Sequence, residues 1–184
     1  MKNLKDYLVP TVTLFVICLV ATVLLGFTNQ VTAPIIEQLA IETEIKSRQT
    51  VFADATSFGE AEILEDGTSI VAALDENGAT IGYVVVNTAK GYGGDISVMT
   101  GVDADGKVTG VNILSHSETA GLGAKAAEIS FRDKFVGLVN GITVSKDKAG
   151  ENSIDAITGA TITSRAVVNA VNAAIEAAGG ENIG

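Results

Sequence analysis

Cysteine is nearly absent from this chain: Cys18 is the one thiol, and it lies inside an uncharged apolar run. A single thiol allows no disulfide within the chain and no cysteine cluster, so an iron–sulfur centre held by this chain alone is excluded. Tryptophan is missing, and His116 is the one histidine, with no second histidine or nearby cysteine to share a metal. Basic residues are also scarce, 12 against 22 acidic ones, for a formal net charge of −10. A surface of that sign repels nucleic-acid phosphates, so no nucleic-acid partner is expected.

Apolar residues make up 47% of the 184, enough for one modest domain plus accessories, but they are unevenly spread. The densest run, Leu8 to Phe27, is twenty residues without a charge. A helix of that length rises about 30 Å, the thickness of a bilayer's hydrocarbon core. Pro10 falls in what would be its first turn, where the missing N–H breaks no helical hydrogen bond. A cleaved signal peptide would share the leading Lys2 and Lys5, but its apolar region is shorter, and no convincing small-x-small cleavage site follows Phe27. The run therefore reads as an uncleaved anchor. Lys2 and Lys5 precede it and no further Lys or Arg occurs until Lys46, which places the N-terminus in the cytoplasm and the rest across the membrane. Residues 1–27 contribute +1, so the exported part carries −11.

Residues 31–48 place Val31, Ile35, Ile36, Leu39 and Ile45 at helical spacing, with Thr32 as a cap and Pro34 early in the first turn, which predicts an amphipathic connecting helix. The expected organisation is an anchor over 1–28, a connecting helix over 29–50 and an extracytoplasmic domain over 51–184. Within that domain, residues 69–74 and 79–88 flank Asp75-Glu76-Asn77-Gly78, and residues 95–102 and 107–114 flank Asp103-Ala104-Asp105-Gly106, two hairpin signals. Asp103 and Asp105 resemble the start of a calcium loop, but the later ligands are missing, so a turn is expected. Ile129, Phe131, Phe135 and Val136 suggest a short helix over 124–136, and residues 141–145 a short strand. An alanine-rich helix over 165–178 puts Val168, Val171 and Ile175 on one face and stops at Gly179-Gly180. Strands arriving as hairpins define an α+β class, an antiparallel sheet with flanking helices.

The stretch before that last helix, Asp155-Ala156-Ile157-Thr158-Gly159-Ala160-Thr161-Ile162-Thr163-Ser164, carries the most chemical information. Gly159 permits a tight turn, and Thr158, Thr161 and Thr163 can be presented beside a helix N-terminus, whose free N–H groups and dipole suit a phosphate. An ordinary hydroxyl N-cap accounts for the same residues, although no capping-box glutamate follows. Two glycine loops stand upstream, Gly91-Tyr92-Gly93-Gly94 and Ser117-Glu118-Thr119-Ala120-Gly121-Leu122-Gly123. Gly121 and Gly123 can let backbone approach a flat ring, and Glu118 and Thr119 can hydrogen-bond its polar edge; each loop alone also reads as a plain turn.

Together the three motifs resemble the FMN-binding domain shared by the G subunit of the Rnf complex and the C subunit of the sodium-pumping NADH:quinone reductase. That family's attachment signature is Asp-x-x-Ser/Thr-Gly-Ala-Thr, matched by Asp155, Thr158, Gly159, Ala160 and Thr161. The Ser117–Gly123 loop departs from the family's pattern at Ala120, which stands where related sequences usually have Pro. The resemblance implies one FMN joined through phosphate to Thr161, with Thr163 as the second choice. It implies a flavin transferase that takes FMN from FAD and reads Asp155 and Gly159, so that Thr161 is an acceptor and the chain has no catalytic residue and no metal of its own. Tyr92, Gly93, Gly94, Glu118, Thr119, Gly121, Leu122, Gly123, Thr158, Gly159 and Ala160 are the implied flavin-binding residues. His116 can border the ring, and Lys90 and Lys125 can favour a negatively charged flavin. The implied role is an electron-transfer subunit of a membrane-bound, ion-translocating ferredoxin:NAD oxidoreductase complex, single-pass in a bacterial cytoplasmic membrane and bound to other subunits. The short exported region favours the Rnf protein over its sodium-pump relative. An independent exported flavoprotein reductase, and an anchored module without redox chemistry in which Thr161 is only a cap, are the rival expectations.

Overall fold

The structure, a computed structural model, describes residues 5–147 and 150–180. The chain divides into two units, Met1–Ile45 and Lys46–Gly184. Helix α1 covers Lys5–Val51 without interruption. Its 21-residue stretch Pro10–Gln30 is long and apolar enough to cross a membrane. Hydroxyls within that stretch bond back along the helix: Thr22 donates to the Cys18 carbonyl and Thr28 to that of Leu24, both at 2.8 Å. This suits a lipid environment, which offers a lone hydroxyl no partner.

The expected helix start at Thr32 does not occur. Thr32 donates its hydroxyl back to the Thr28 carbonyl at 2.8 Å, so it is an interior residue, and the helix continues through Pro34. Proline there removes one backbone donor, which a helix of 47 residues tolerates.

In the second unit a five-stranded antiparallel meander, in the order β1-β2-β3-β4-β5, runs through β1 (Ser57–Ile63), β2 (Ser69–Leu74), β3 (Thr80–Lys90), β4 (Asp95–Asp103) and β5 (Val108–Ser115). The β2–β3 and β4–β5 turns are built by aspartates. Asp75 Oδ1 accepts the N–H groups of Asn77 and Ala79, and Asp103 Oδ1 those of Asp105 and Lys107, at 2.8 to 2.9 Å. A carboxylate engaged with its own backbone in this way is a turn device.

The last turn of α1 covers one sheet face, where Val51, Phe52 and Ala55 join Ala73, Val84 and Met99. Gly101 and Gly110 pair across β4 and β5 directly beneath Val51, and a Cβ on either would strike its main chain. Thr109 locks the crossing by donating its hydroxyl to the Val51 carbonyl. Helix α3 (Thr161–Gly180) covers the other face with Ala166, Val167, Ala170, Val171, Ala174 and Ala178 against Val85, Ile96 and Val98. Alanines let the helix approach closely, and Asn87 reaches from the sheet to the Ala170 carbonyl at 2.8 Å.

Helix α3 begins at Thr161, four residues before the expected Arg165, and includes both terminal glycines. The expected helix over 124–136 is broken into a 3-10 turn at Gly123–Ala127, a single α-turn α2 at Ile129–Arg132 and another 3-10 turn at Asp133–Phe135. Only two of its four apolar anchors are inside: Phe131 and Phe135 pack edge to face, while Ile129 and Val136 are exposed. Beyond it, β6 (Thr143–Val144) pairs in parallel with β7 (Ser153–Ile154), a pairing with no periodic signature.

Candidate functional site

The β3–β4 hairpin keeps an unbroken register from Gly82–Asp103 to Lys90–Asp95, so its tip, residues 91–94, extends past one end of the sheet. Strand β5 ends at Ser115, opposite Ser97, and delivers residues 116–123 to that same end. Helix α3 starts there as well, and the three motifs meet through one side chain. Glu118 Oε1 accepts the N–H groups of Tyr92 and Gly93 at 2.8 and 2.9 Å, and its Oε2 accepts the Thr163 hydroxyl at 2.7 Å. The His116 Nδ1 accepts the Glu118 N–H at 3.2 Å and braces the loop from behind.

The glycines of these loops answer to that clasp. A Cβ on Gly123 would fall on Glu118 Oε2 and within 2.7 Å of Thr163 Oγ1, and one on Gly93 would fall on the Ser117 carbonyl. The space beside Gly123 is taken by the protein's own carboxylate. Gly121 is needed for a different reason, its φ of +78°.

Burial pushes the Glu118 carboxyl up, but hydrogen bonds from Thr163, Gly93 and Tyr92 and the nearby His116 outweigh it, so its pKa lies below the ordinary 4.5. A proton therefore binds the folded site less readily than the unfolded chain. The clasp contributes its full stability above about pH 4.5 and loses it as pH falls through the lower folded value. Thermal melting of the wild type is expected to fall more steeply with acid than that of Glu118→Gln, whose amide keeps the same partners without titrating. Parallel acid curves would remove Glu118 from the account.

Thr161 is the first residue of α3, and the residue before it is Ala160, which has no side chain able to cap. Ser164 staples the approach: its hydroxyl donates to the Ala160 carbonyl at 2.9 Å and accepts the Ile157 N–H at 3.0 Å. Gly159 makes the turn into the helix at φ +78°. The hydroxyls of Thr163 and Ser164 are thus buried and engaged, whereas that of Thr161 faces a cavity and accepts from Lys146 Nζ at 3.4 Å.

This cavity holds about 470 Å³, within the range usual for small-ligand sites. Of the expected residues, Tyr92, Glu118, Thr119, Leu122 and Gly123 line it from the glycine loops, and Gly159, Ala160 and Thr161 from the helix start. Gly93, Gly94, Gly121, Thr158 and Asp155 are not among the lining residues. Gly93 serves the clasp, and the Asp155 carboxylate accepts the Ser145 hydroxyl at 2.7 Å. His116, Lys90 and Lys125 do not line it either. Thr163, the second choice for attachment, lines it as well, and Lys146 and Ile162 line it without having been expected. Ile162 had a local signal, its place between two threonines of the motif; Lys146 had none.

The chemistry of the cradle fits a flavin mononucleotide. Tyr92 is 74% exposed and Ile162 51%, giving uncovered apolar surface at the mouth for an aromatic ring. Helix geometry leaves the N–H groups of Thr161, Ile162 and Thr163 without intrahelical acceptors, and Lys146 adds a positive charge.

Fold and cradle together define the chain as a carrier of an FMN-binding domain, and the profile of that domain family matches residues 91–176. A solved structure of the C subunit of sodium-translocating NADH-quinone reductase from Parabacteroides distasonis shares the fold, at a TM-score of 0.50 and 24% identity over 59% of each chain. Similarity over nearly the whole length runs to several curated proteins. The G subunit of the sodium-translocating ferredoxin:NAD oxidoreductase complex of Acetobacterium woodii is 39% identical over 89% of this chain and 87% of its own. The proton-translocating counterpart of Clostridium ljungdahlii is 36% identical over 95% and 93%. The chain belongs to the family of G subunits of ion-translocating oxidoreductase complexes. With its apolar helix, it is a membrane protein.

Proposed function

We propose that this chain is the electron-relay subunit of a ferredoxin:NAD oxidoreductase complex that moves ions, and that its FMN is joined through phosphate to Thr161. One observation carries the linkage: of three neighbouring hydroxyl residues at the start of α3, Thr163 and Ser164 are buried with their hydroxyls donated to Glu118 and Ala160, while Thr161 is half-buried and lines the cavity with its hydroxyl donated to no protein group among the described residues. FMN supplies reversible electron uptake and release. The protein's part is to hold it: the Glu118 clasp keeps the two glycine loops and α3 together, Tyr92, Leu122 and Ile162 offer apolar cover, and the helix start takes the phosphate. A tether suits a cofactor exposed on the exported side, because a covalent flavin cannot dissociate however dilute free FMN is.

On this reading a flavin transferase installs FMN from FAD and recognises Asp155 and Gly159, both exposed on the approach to α3. Residues 1–28 anchor the chain with the N-terminus in the cytoplasm, residues 29–50 connect, and residues 51–184 hold the flavin outside. Full-length similarity to these G subunits favours neither an independent exported reductase nor the C subunit of the sodium pump. Tagged chain purified from membranes of its own host is expected to bring integral partner subunits with it and to fluoresce on a denaturing gel. Recovery of a lone fluorescent polypeptide would instead mark an independent flavoprotein.

A further inference from the structure

The Lys146 side chain reaches Thr161 from a segment that no motif includes, fifteen residues upstream. Its position is built. The parallel pairing of β6 with β7 brings Ser145 beside Ile154, where the Ser145 N–H donates to the Ile154 carbonyl at 2.8 Å and its hydroxyl to Asp155 Oδ1 at 2.7 Å. On the other side of Lys146, Asp147 is held by Arg165 in a two-point ion pair, with Arg165 Nε donating to Asp147 Oδ2 at 2.8 Å. Arg165 stands one turn beyond Thr161 on the same face of α3, so this pair draws the turn over the Thr161 hydroxyl. Asp155 and Arg165 are thus positioning residues, and the residue between their two grips is the lysine.

Charge explains why the cavity needs it. Among the described residues lining it, Lys146 is the one cation, and Glu118 across the cavity is an anion, in a chain of formal net charge −10. A phosphate entering there meets repulsion from the protein as a whole and attraction from this ammonium and the helix start.

We propose that Lys146 neutralises the flavin phosphate at Thr161, both while that phosphate is being transferred and after it is bound. This rests on Thr161 being the attachment site. In the transfer, the Thr161 Oγ1 forms a bond to the flavin-side phosphorus of FAD and the pyrophosphate P–O bond breaks. AMP leaves with the bridging oxygen, the hydroxyl proton passes to a base of the transferase or to water, and nothing is oxidised or reduced. Negative charge on the phosphoryl oxygens develops beside Lys146, where a preset ammonium stabilises it without reorganisation.

The test follows flavin incorporation in full-length protein in detergent, with a purified flavin transferase and saturating FAD, by in-gel fluorescence over time. Lys146→Ala and Lys146→Gln are expected to slow incorporation by about tenfold or more, the size of one lost charge-assisted hydrogen bond. Lys146→Arg is expected to recover most of the rate, and added salt to slow the wild type more than Lys146→Ala. Lys146 is exposed, so an unchanged melting temperature in each variant separates the rate effect from misfolding. A wild-type rate in Lys146→Ala, or an arginine variant no faster than the glutamine one, overturns the proposal. Labelling of Thr161→Ala at the wild-type rate overturns the attachment site itself, a failure that the lysine variants alone would not produce.

Discussion

Thr161→Ala, produced alongside a flavin transferase, is expected to show the mass of the bare polypeptide, whereas the wild type is heavier by one FMN less one water. On a denaturing gel under ultraviolet light the wild-type band fluoresces and the variant band is dark. Stability should hardly change, by about 0.5 kcal/mol or less, because the hydroxyl's contact is a 3.4 Å approach by an exposed lysine and alanine is the better helix former. Thr163→Ala is the informative contrast. It removes a buried hydroxyl that donates to Glu118 at 2.7 Å, so it should cost about 1–2 kcal/mol and yet leave a fluorescent band. A fluorescent Thr161→Ala together with a dark Thr163→Ala would reverse the assignment.

Gly123→Ala should be the most damaging single methyl in the site. The added carbon would occupy the place of Glu118 Oε2 and stand 2.7 Å from Thr163 Oγ1 and 3.0 Å from Glu118 Cβ, so the carboxylate must swing away from at least one partner. Overpacking of this kind combined with a broken hydrogen bond predicts about 2–3 kcal/mol of lost stability and a melting temperature lower by roughly 10 °C. Flavin incorporation should fall with it, because the loop and the helix start no longer share an anchor. Gly121→Ala faces open space, and only its φ of +78° resists the substitution, so about 1 kcal/mol is expected there. If the two alanines proved equally mild in thermal unfolding, the clasp would not be what organises these loops.

Much of the scaffold was readable because local chemistry and long-range packing agree. Both expected hairpins form where β-rich runs flank an aspartate-led turn, since Asp75 and Asp103 close those turns with their own carboxylates. Strand β1 went unread: SFGEAEI, with glycine and two glutamates, is an edge strand whose pairing with β2 does not require an apolar face. The start of α3 went unread by one turn because threonine, isoleucine and serine are weak helix formers. They are helical here because Ala160 and Glu118 take up the Ser164 and Thr163 hydroxyls.

The apolar span, the hairpin order, the threonine motif before α3 and the glycine loops could all be found in the linear chain, because each depends on residues close together in sequence. What the glycines are for, and which cation stands at the threonine, depend on groups brought together by folding. Gly123 is a glycine because Glu118 lies against it, and Glu118 lies there because Tyr92, Gly93 and Thr163, from two other segments, satisfy its charge. Lys146 reaches Thr161 only through a two-residue parallel pairing and an ion pair, and neither leaves a periodic trace in composition.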